Sequence, residues 1–300
     1  MHTPPGTRGN VATELLKTMR PKQWAKQVFI LAALVFDGKL LEPHYVARAL
    51  LAVVVFCLVS GAVYAMNDLA DIEKDRSHPR KRNRPLASGR LSSAAARAAV
   101  VALLALSLAG AYALGTPFLA VTAIYFLVNL AYSFLLKAHV ILDLLSIATG
   151  FVLRVAAGVV VVDVARFSPW LYVCTTLLAL FIAISKRRHE VVLLAENAGS
   201  HRATLDDYTV PLLDQYSMVV TSTTLMAYSL YTFSAPNLPD NHAMMLTIPF
   251  VIYGLFRYMY LVQVRGMGGA PEDIALRDRP LIVCVSLWAL AVALVLYGFD

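Results

Sequence analysis

The sequence predicts an all-α polytopic membrane protein. Three observations carry that reading: 59% of its 300 residues are hydrophobic, only 15% are charged, and the mean hydropathy is +0.65. A soluble core of this size has no need for repeated apolar runs of about 20 residues, the length that crosses a bilayer as a helix. Nine such runs are read along the chain, near residues 24–43, 46–66, 94–114, 118–136, 140–162, 167–184, 211–234, 243–263 and 281–298.

The first run carries Lys26 and Asp37 and the second begins beside Arg48; both span if those charges sit at an interface or face the bundle interior. The first 20 residues are polar and proline-rich, and no small-residue cleavage site follows the next apolar stretch, so the first span is expected to be retained. Cys57, Cys174 and Cys284 lie in apolar runs without ligand-like spacing and read as packing residues. The whole of 1–300 reads as one helical domain, with no soluble or nucleic-acid module.

Charge sets the expected orientation. With the amino terminus on the cytoplasmic side, the stretches 1–23, 67–93, 137–139, 185–210 and 264–280, together with Lys26, hold 20 of the 26 Lys and Arg residues. The positive-inside rule then places the carboxyl terminus outside after nine crossings.

The first group that reads as chemistry is "NDLADIEKD", residues 67–75. If the second helix continues past its apolar run, Asp68, Asp71 and Asp75 follow i, i+3, i+7 and share one face, with Glu73 turned away. Like charges on one face repel, and a hard divalent cation turns that cost into binding. Mg²⁺ takes oxygen ligands, keeps water, and bridges carboxylates to substrate phosphates. A solvated helix end balanced by Lys74 and Arg76 is the plainer alternative. The basic run that follows, broken by Pro79 and Pro85, offers forked guanidinium and mobile ammonium donors for phosphate; Arg84 and Lys81 are the preferred candidates, the rest being accounted for by topology.

The second group is "YSFLLKAHVILD", residues 132–143. Lys137 falls at a turn between two runs, and Asp143 enters the next, where an isolated carboxylate is expensive. Arg154 lies 11 residues on, close to three helical turns, so it is expected to face the same cavity as Asp143, as an ion-pair partner or as a phosphate ligand. The third is "SKRRHEVVLLAENAGSHRATLDDYT", residues 185–209, where Lys186, Arg187 and Arg202 are candidates to bind a phosphorylated substrate and Lys186 is the strongest choice. The segment 265–280 lacks GxxxxGK[ST] and reads as a structural or gating loop.

This organisation resembles the UbiA-like intramembrane prenyltransferase superfamily. Its nine-helix bundle around a central cavity, open to the lipid and cytoplasmic sides, is the architecture the resemblance implies. "NDLADIEKD" matches the superfamily's NDxxDxxxD motif at Asn67, Asp68, Asp71 and Asp75. "MRPKQWAKQ" (19–27), which brings in Lys22, "HPRKRNRPLASG" (78–89), "YSFLLKAHVILD", "GFVLRVAAG" and "SKRRHE" (185–190) are similar to the branch that moves phosphoribosyl onto a polyprenyl phosphate. The usual second aspartate-rich motif is replaced by Lys137 and Asp143, a departure compatible with that branch.

The resemblance implies Mg²⁺ on Asn67, Asp68, Asp71 and Asp75, with Asp68, Asp71, Asp75 and Asp143 catalytic. Asn67, Lys22, Lys81, Arg84, Lys137, Arg154, Lys186, Arg187 and Arg202 would bind substrate. It also implies 5-phosphoribosyl 1-diphosphate and long-chain polyprenyl phosphate as substrates, a prokaryotic plasma-membrane location, lipid contact, no nucleic acid and a possible homo-oligomer. Two other readings stand beside it: an intramembrane prenyltransferase with a polyprenyl diphosphate donor, and a lipid-phosphate transporter.

Overall fold

The computed structural model describes residues 10–77, 81–164, 169–196, 207–235, 238–239, 241–269 and 271–298, and these residues form helices and their connections without a strand. A short helix α1 (Val11–Thr18) is capped by Asn10, whose side chain accepts from the Ala12 amide. A 3-10 segment, Pro21–Leu31, then runs into α2 (Ala32–Phe36). The long helices are α3 (Pro43–Ala70), α5 (Ser93–Leu114), α6 (Thr116–Phe134), α7 (Leu142–Val162), α8 (Pro169–Glu196), α9 (Val210–Ser234), α10 (Ile248–Gln263) and α12 (Arg279–Tyr297). The short α4 (Ile72–Ser77) and α11 (Pro271–Arg277) lie at helix junctions. Proline in the first turn opens α3, α6, α9, α10 and α12, where its missing N–H has no helical partner to lose. Ser92, Thr209 and Asp278 cap α5, α9 and α12 through side-chain oxygens.

Among the described residues, seven helical stretches are long and apolar enough to cross a membrane, against the nine runs read from sequence. The first expected span, 24–43, is instead the 3-10 segment and α2, followed by a turn at Asp37 and Gly38. This broken piece packs tightly on α7. A Cβ on Gly158 would come within 2.1 Å of the Ile30 carbonyl oxygen, so only glycine permits the approach. The expected span at 211–234 is helical as α9, but its serines and threonines dilute its apolarity. Thr223, Thr224, Ser229 and Ser234 return their hydroxyls to carbonyls four residues back, so each is satisfied without water.

Burial divides the helices into layers. α3 and α7 are the most enclosed, and the central core joins Phe56, Phe118, Tyr125 and Val161 across α3, α6 and α7. Outer helices expose large apolar side chains, among them Val101, Leu127, Met218, Phe256 and Leu290, a surface suited to lipid tails. The two ends of the bundle are also marked. At one end Arg48 donates to the carbonyls of Leu114 and Val161, the carboxyl termini of α5 and α7, while Lys39 donates to those of Val162 and Asp163. Cations there offset the negative helix ends. Asp68, at the opposite terminus of α3, and Asp143, at the opposite terminus of α7, therefore share the other end.

Candidate active site

Helix α3 stops at Ala70, and Asp71 has the backbone of a brief interruption (φ −102°, ψ 12°) before α4 resumes. The Asp71 amide still donates to Asn67 and the Asp75 amide to Asp71, so the direction of the chain is kept. Asp68 and Asp75 consequently meet and are both almost fully buried, whereas Asp71, expected on the same face, is half-buried and does not join that contact. What joins Asp68 and Asp75 is a guanidinium: Arg84 Nη1 lies 3.1 Å from Asp68 Oδ1 and 2.7 Å from Asp75 Oδ2. Arg20 Nη2 donates to the same Asp68 oxygen at 2.6 Å.

Arg84 is held by an apolar anchor. Leu86 and Leu91 bury beside Leu69 and Ile72, pinning the loop to the end of α3, and the Ser88 hydroxyl closes the turn on the Arg84 carbonyl at 2.8 Å. Arg90 ties this loop to α1 through Glu14, 2.9 Å away, and to the Asn83 carbonyl at 2.6 Å. Hydrogen bonds from Lys17 and then Arg90 hold the Glu14 carboxyl below its ordinary range.

Arg20 was not among the sequence candidates. It occupies a left-handed backbone conformation (φ 55°, ψ 68°) just before Pro21, and its guanidinium stacks over Tyr64 at 4.7 Å from the ring centre. A non-glycine residue in this region costs on the order of 1–3 kcal/mol and persists where its surroundings demand it. Its side-chain type was visible in the sequence; its backbone was not.

The second group differs. Asp143 is fully buried, and its partner is Arg187, with Nε 2.9 Å from Oδ2. The contact is close but not aligned as a hydrogen bond, which leaves those two atoms as a pure ion contact. Arg187 also pairs with Glu190, and Tyr208 donates to Asp143 Oδ1 at 2.8 Å. Burial pushes the Tyr208 phenol above its ordinary range, keeping it protonated as that donor. The same phenolic oxygen accepts the Ile141 amide at 2.8 Å. Ile141 needs the support: its φ of 69° and ψ of −45°, with the Leu142 amide donating to the Val140 carbonyl, make a strained γ-turn around a β-branched residue.

The expected pairing of Arg154 with Asp143 is not made. Arg154 is buried in the middle of α7 and donates to Gln27 Oε1 (2.8 Å), the Gly150 carbonyl (2.6 Å) and the Tyr125 hydroxyl (2.8 Å). Gln27 and Tyr125 both contact Ser60, closing a polar knot among the 3-10 segment, α3, α6 and α7. Eleven residues of helix rise about 16 Å, and the Asp143 oxygens are met at their own level by Arg187 and Tyr208. In the third group the inward side chain is Arg187, not Lys186. Lys186 is half-buried and makes no ion pair among the described residues.

Of the remaining candidates, Lys137 sits half-buried on the 3-10 turn Leu136–Ala138, and Lys81 is exposed on the loop beside Arg84. Lys22 is well exposed and 3.8 Å from Asp273, at the rim rather than on the aspartates. Arg202 lies outside the described residues.

The donor set at the aspartates is all oxygen, as Mg²⁺ prefers. The Asp71 carboxylate and the Asn67 amide, both half-buried, make no side-chain hydrogen bond or ion pair among the described residues. Among those residues no three acidic, histidine or cysteine side chains converge as a ready cation cage. These residues fit a cation that brings water and phosphate oxygens to complete its shell. They do not form a closed protein cage.

A bundle of apolar helices with aspartates and arginines gathered at one end defines an integral membrane protein with a polar site at the end of its core. Residues 28–269 match the UbiA prenyltransferase family, and the chain belongs to that family and is a transferase. It is 32% identical to a decaprenyl-phosphate phosphoribosyltransferase of Corynebacterium glutamicum, over 96% of this chain and 88% of that one. To the decaprenyl-phosphate phosphoribosyltransferase of Mycobacterium tuberculosis it is 35% identical, over 96% of each. Its fold superposes on a UbiA homolog from Archaeoglobus fulgidus bound to GPP and Mg²⁺ with a TM-score of 0.69 at 20% identity, covering 94% of this chain and 99% of that one.

Proposed function

We propose that the protein transfers 5-phosphoribosyl from 5-phosphoribosyl 1-diphosphate to a long-chain polyprenyl phosphate, releasing diphosphate. The carrying observation is the contrast between the two acidic groups. Asp68 and Asp75 lie beneath arginines that are about one-third exposed, whereas Asp143 is enclosed by Arg187 and Tyr208. One site for a metal-bound diphosphate, with no second carboxylate array among the described residues, suits a donor diphosphate and a monophosphate acceptor. The relatives' activity over nearly the whole chain supports the same reading.

In this reading Asp68, Asp71 and Asp75, with Asn67, hold Mg²⁺, which when bound neutralises charge developing on the leaving diphosphate. Arg84, Lys81 and Arg20 take diphosphate oxygens; donors fixed before reaction need little reorganisation as charge develops. The bond from the ribose anomeric carbon to the diphosphate oxygen breaks as a phosphate oxygen of the lipid bonds to the opposite face. That monoester oxygen is already ionised near neutral pH, so no residue need remove a proton. Asp143 acts as a positioning residue, fixing with Tyr208 the strained turn at Ile141 that follows the Lys137 segment. Lys137, Lys186 and Arg202 are left to the acceptor phosphate, and Lys22 to donor entry at the rim.

The membrane setting follows from the acceptor, since each buried methylene of its tail contributes about 0.8 kcal/mol to staying in the bilayer. Read with nine crossings, counting the broken first segment and α9, and with the positive-inside rule, the aspartate end would face the cytoplasm, where a water-soluble donor arrives. Incubating purified protein with Mg²⁺, polyprenyl phosphate and 5-phosphoribosyl 1-diphosphate tests this by mass spectrometry of the lipids. Polyprenyl phosphoribose 5-phosphate is the expected product. Its absence, with prenylation of an aromatic acceptor from polyprenyl diphosphate, would overturn the assignment.

A further inference from the structure

We propose that Arg20 and Arg84 are exchangeable counter-ions which make capture of a divalent cation and a diphosphate cooperative, and that Arg20 is a substrate-binding residue. The inference rests on reading the Asp68 group as a metal-diphosphate site.

Two guanidinium groups converge on one oxygen of Asp68, and one of them also holds Asp75. The carboxylates lie beneath, about 2% exposed, while the arginine side chains above them are 31% and 28% exposed. A cation arriving alone must displace Arg20 and Arg84 from the oxygens it seeks. A diphosphate arriving alone must draw the same arginines from carboxylates that would then lie buried without a counter-ion. Arriving together, the two remove each other's obstacle. The carboxylates pass to the cation, joined by Asp71 and Asn67, whose side-chain oxygens have no prior partner among the described residues, and the arginines pass to the diphosphate.

The backbone of Arg20 argues against a merely structural pair. A surface ion pair needs no left-handed residue before a proline, yet this one is held there with its side chain between Tyr64 and Asp68. Stacking fixes the guanidinium plane and leaves its remaining N–H groups for an oxyanion.

Binding of Mn²⁺ to the purified full-length protein, followed by the electron-spin resonance of free Mn²⁺ with and without inorganic pyrophosphate, tests the proposal without turnover. After correction for the Mn²⁺–pyrophosphate complex in solution, pyrophosphate is expected to tighten Mn²⁺ binding on the order of tenfold or more. Arg20→Gln should bind Mn²⁺ alone more tightly than the parent and lose most of that coupling; Arg20→Lys should recover part of it. Equal Mn²⁺ affinity with and without pyrophosphate in the parent would overturn the cooperative exchange, as would a folded Arg20→Gln with unchanged coupling. Those outcomes leave the site assignment standing. Absence of any protein-bound Mn²⁺–pyrophosphate in the parent would remove the site reading as well.

Discussion

Two aspartate–arginine groups sit at the same end of this bundle, built from the same chemistry and differing in how far water reaches the arginines. At Asp68 and Asp75 the carboxylates are buried and the arginines above them are about one-third exposed; at Asp143 the arginine, Arg187, is as buried as its partner. An arginine that keeps one face in water can change partners at modest cost. One that is enclosed cannot leave without stranding a charge, so the first group is suited to receive a ligand and the second to hold helices α7 and α8 in place.

The sharpest way to break the comparison is to remove one partner from each group. Arg187→Met leaves Asp143 buried with Tyr208 as its one side-chain donor among the described residues, and is expected to lower stability by about 3–5 kcal/mol. The readout is loss of the folded, detergent-solubilised protein on thermal melting followed by size exclusion. Asp71→Asn, whose native carboxylate makes no ion pair among the described residues, should leave that melting curve unchanged while reducing kcat roughly a hundredfold, about 2.7 kcal/mol of transition-state stabilisation. A melting loss at Asp71 matching that at Arg187 would erase the distinction between the groups.

Tyr208→Phe tests the locked group more gently. It removes the donor to Asp143 and the acceptor for the Ile141 amide, and an expected loss of about 1–3 kcal/mol should appear in the same melting experiment. Smallest is the Glu14 contact that steadies the Arg84 loop. Its carboxyl is held below the ordinary value of 4.5, so its contribution is complete above that value and is lost as pH falls through the lower folded-state value. Amide exchange in residues 81–91, corrected for intrinsic pH dependence, should rise on acidification below 4.5 in the parent and rise by less in Glu14→Gln.

The sequence made the apolar helices and the meeting of Asp68 with Asp75 legible, because each rests on local spacing. Features set by distant packing were not. Nothing near residue 24 announces that the Ile30 carbonyl will seat against Gly158 from within a 3-10 segment. In "SKRR" adjacent cations differ by about 100° around the helix, and only tertiary contact selects Arg187 over Lys186 for Asp143. Arg154 lies at the correct helical period for Asp143, yet Gln27, 127 residues away in sequence, and Tyr125 claim its donors. The left-handed backbone of Arg20 has no signature in residue types, since glycine is the usual occupant of that region.

The most direct measurement is an experimental structure with Mg²⁺ and 5-phosphoribosyl 1-diphosphate bound. The account predicts Arg20 and Arg84 moved from Asp68 onto diphosphate oxygens, with the Arg187–Asp143 contact still near 2.9 Å. A donor bound away from Asp68, with both arginines still on the carboxylates, would contradict it.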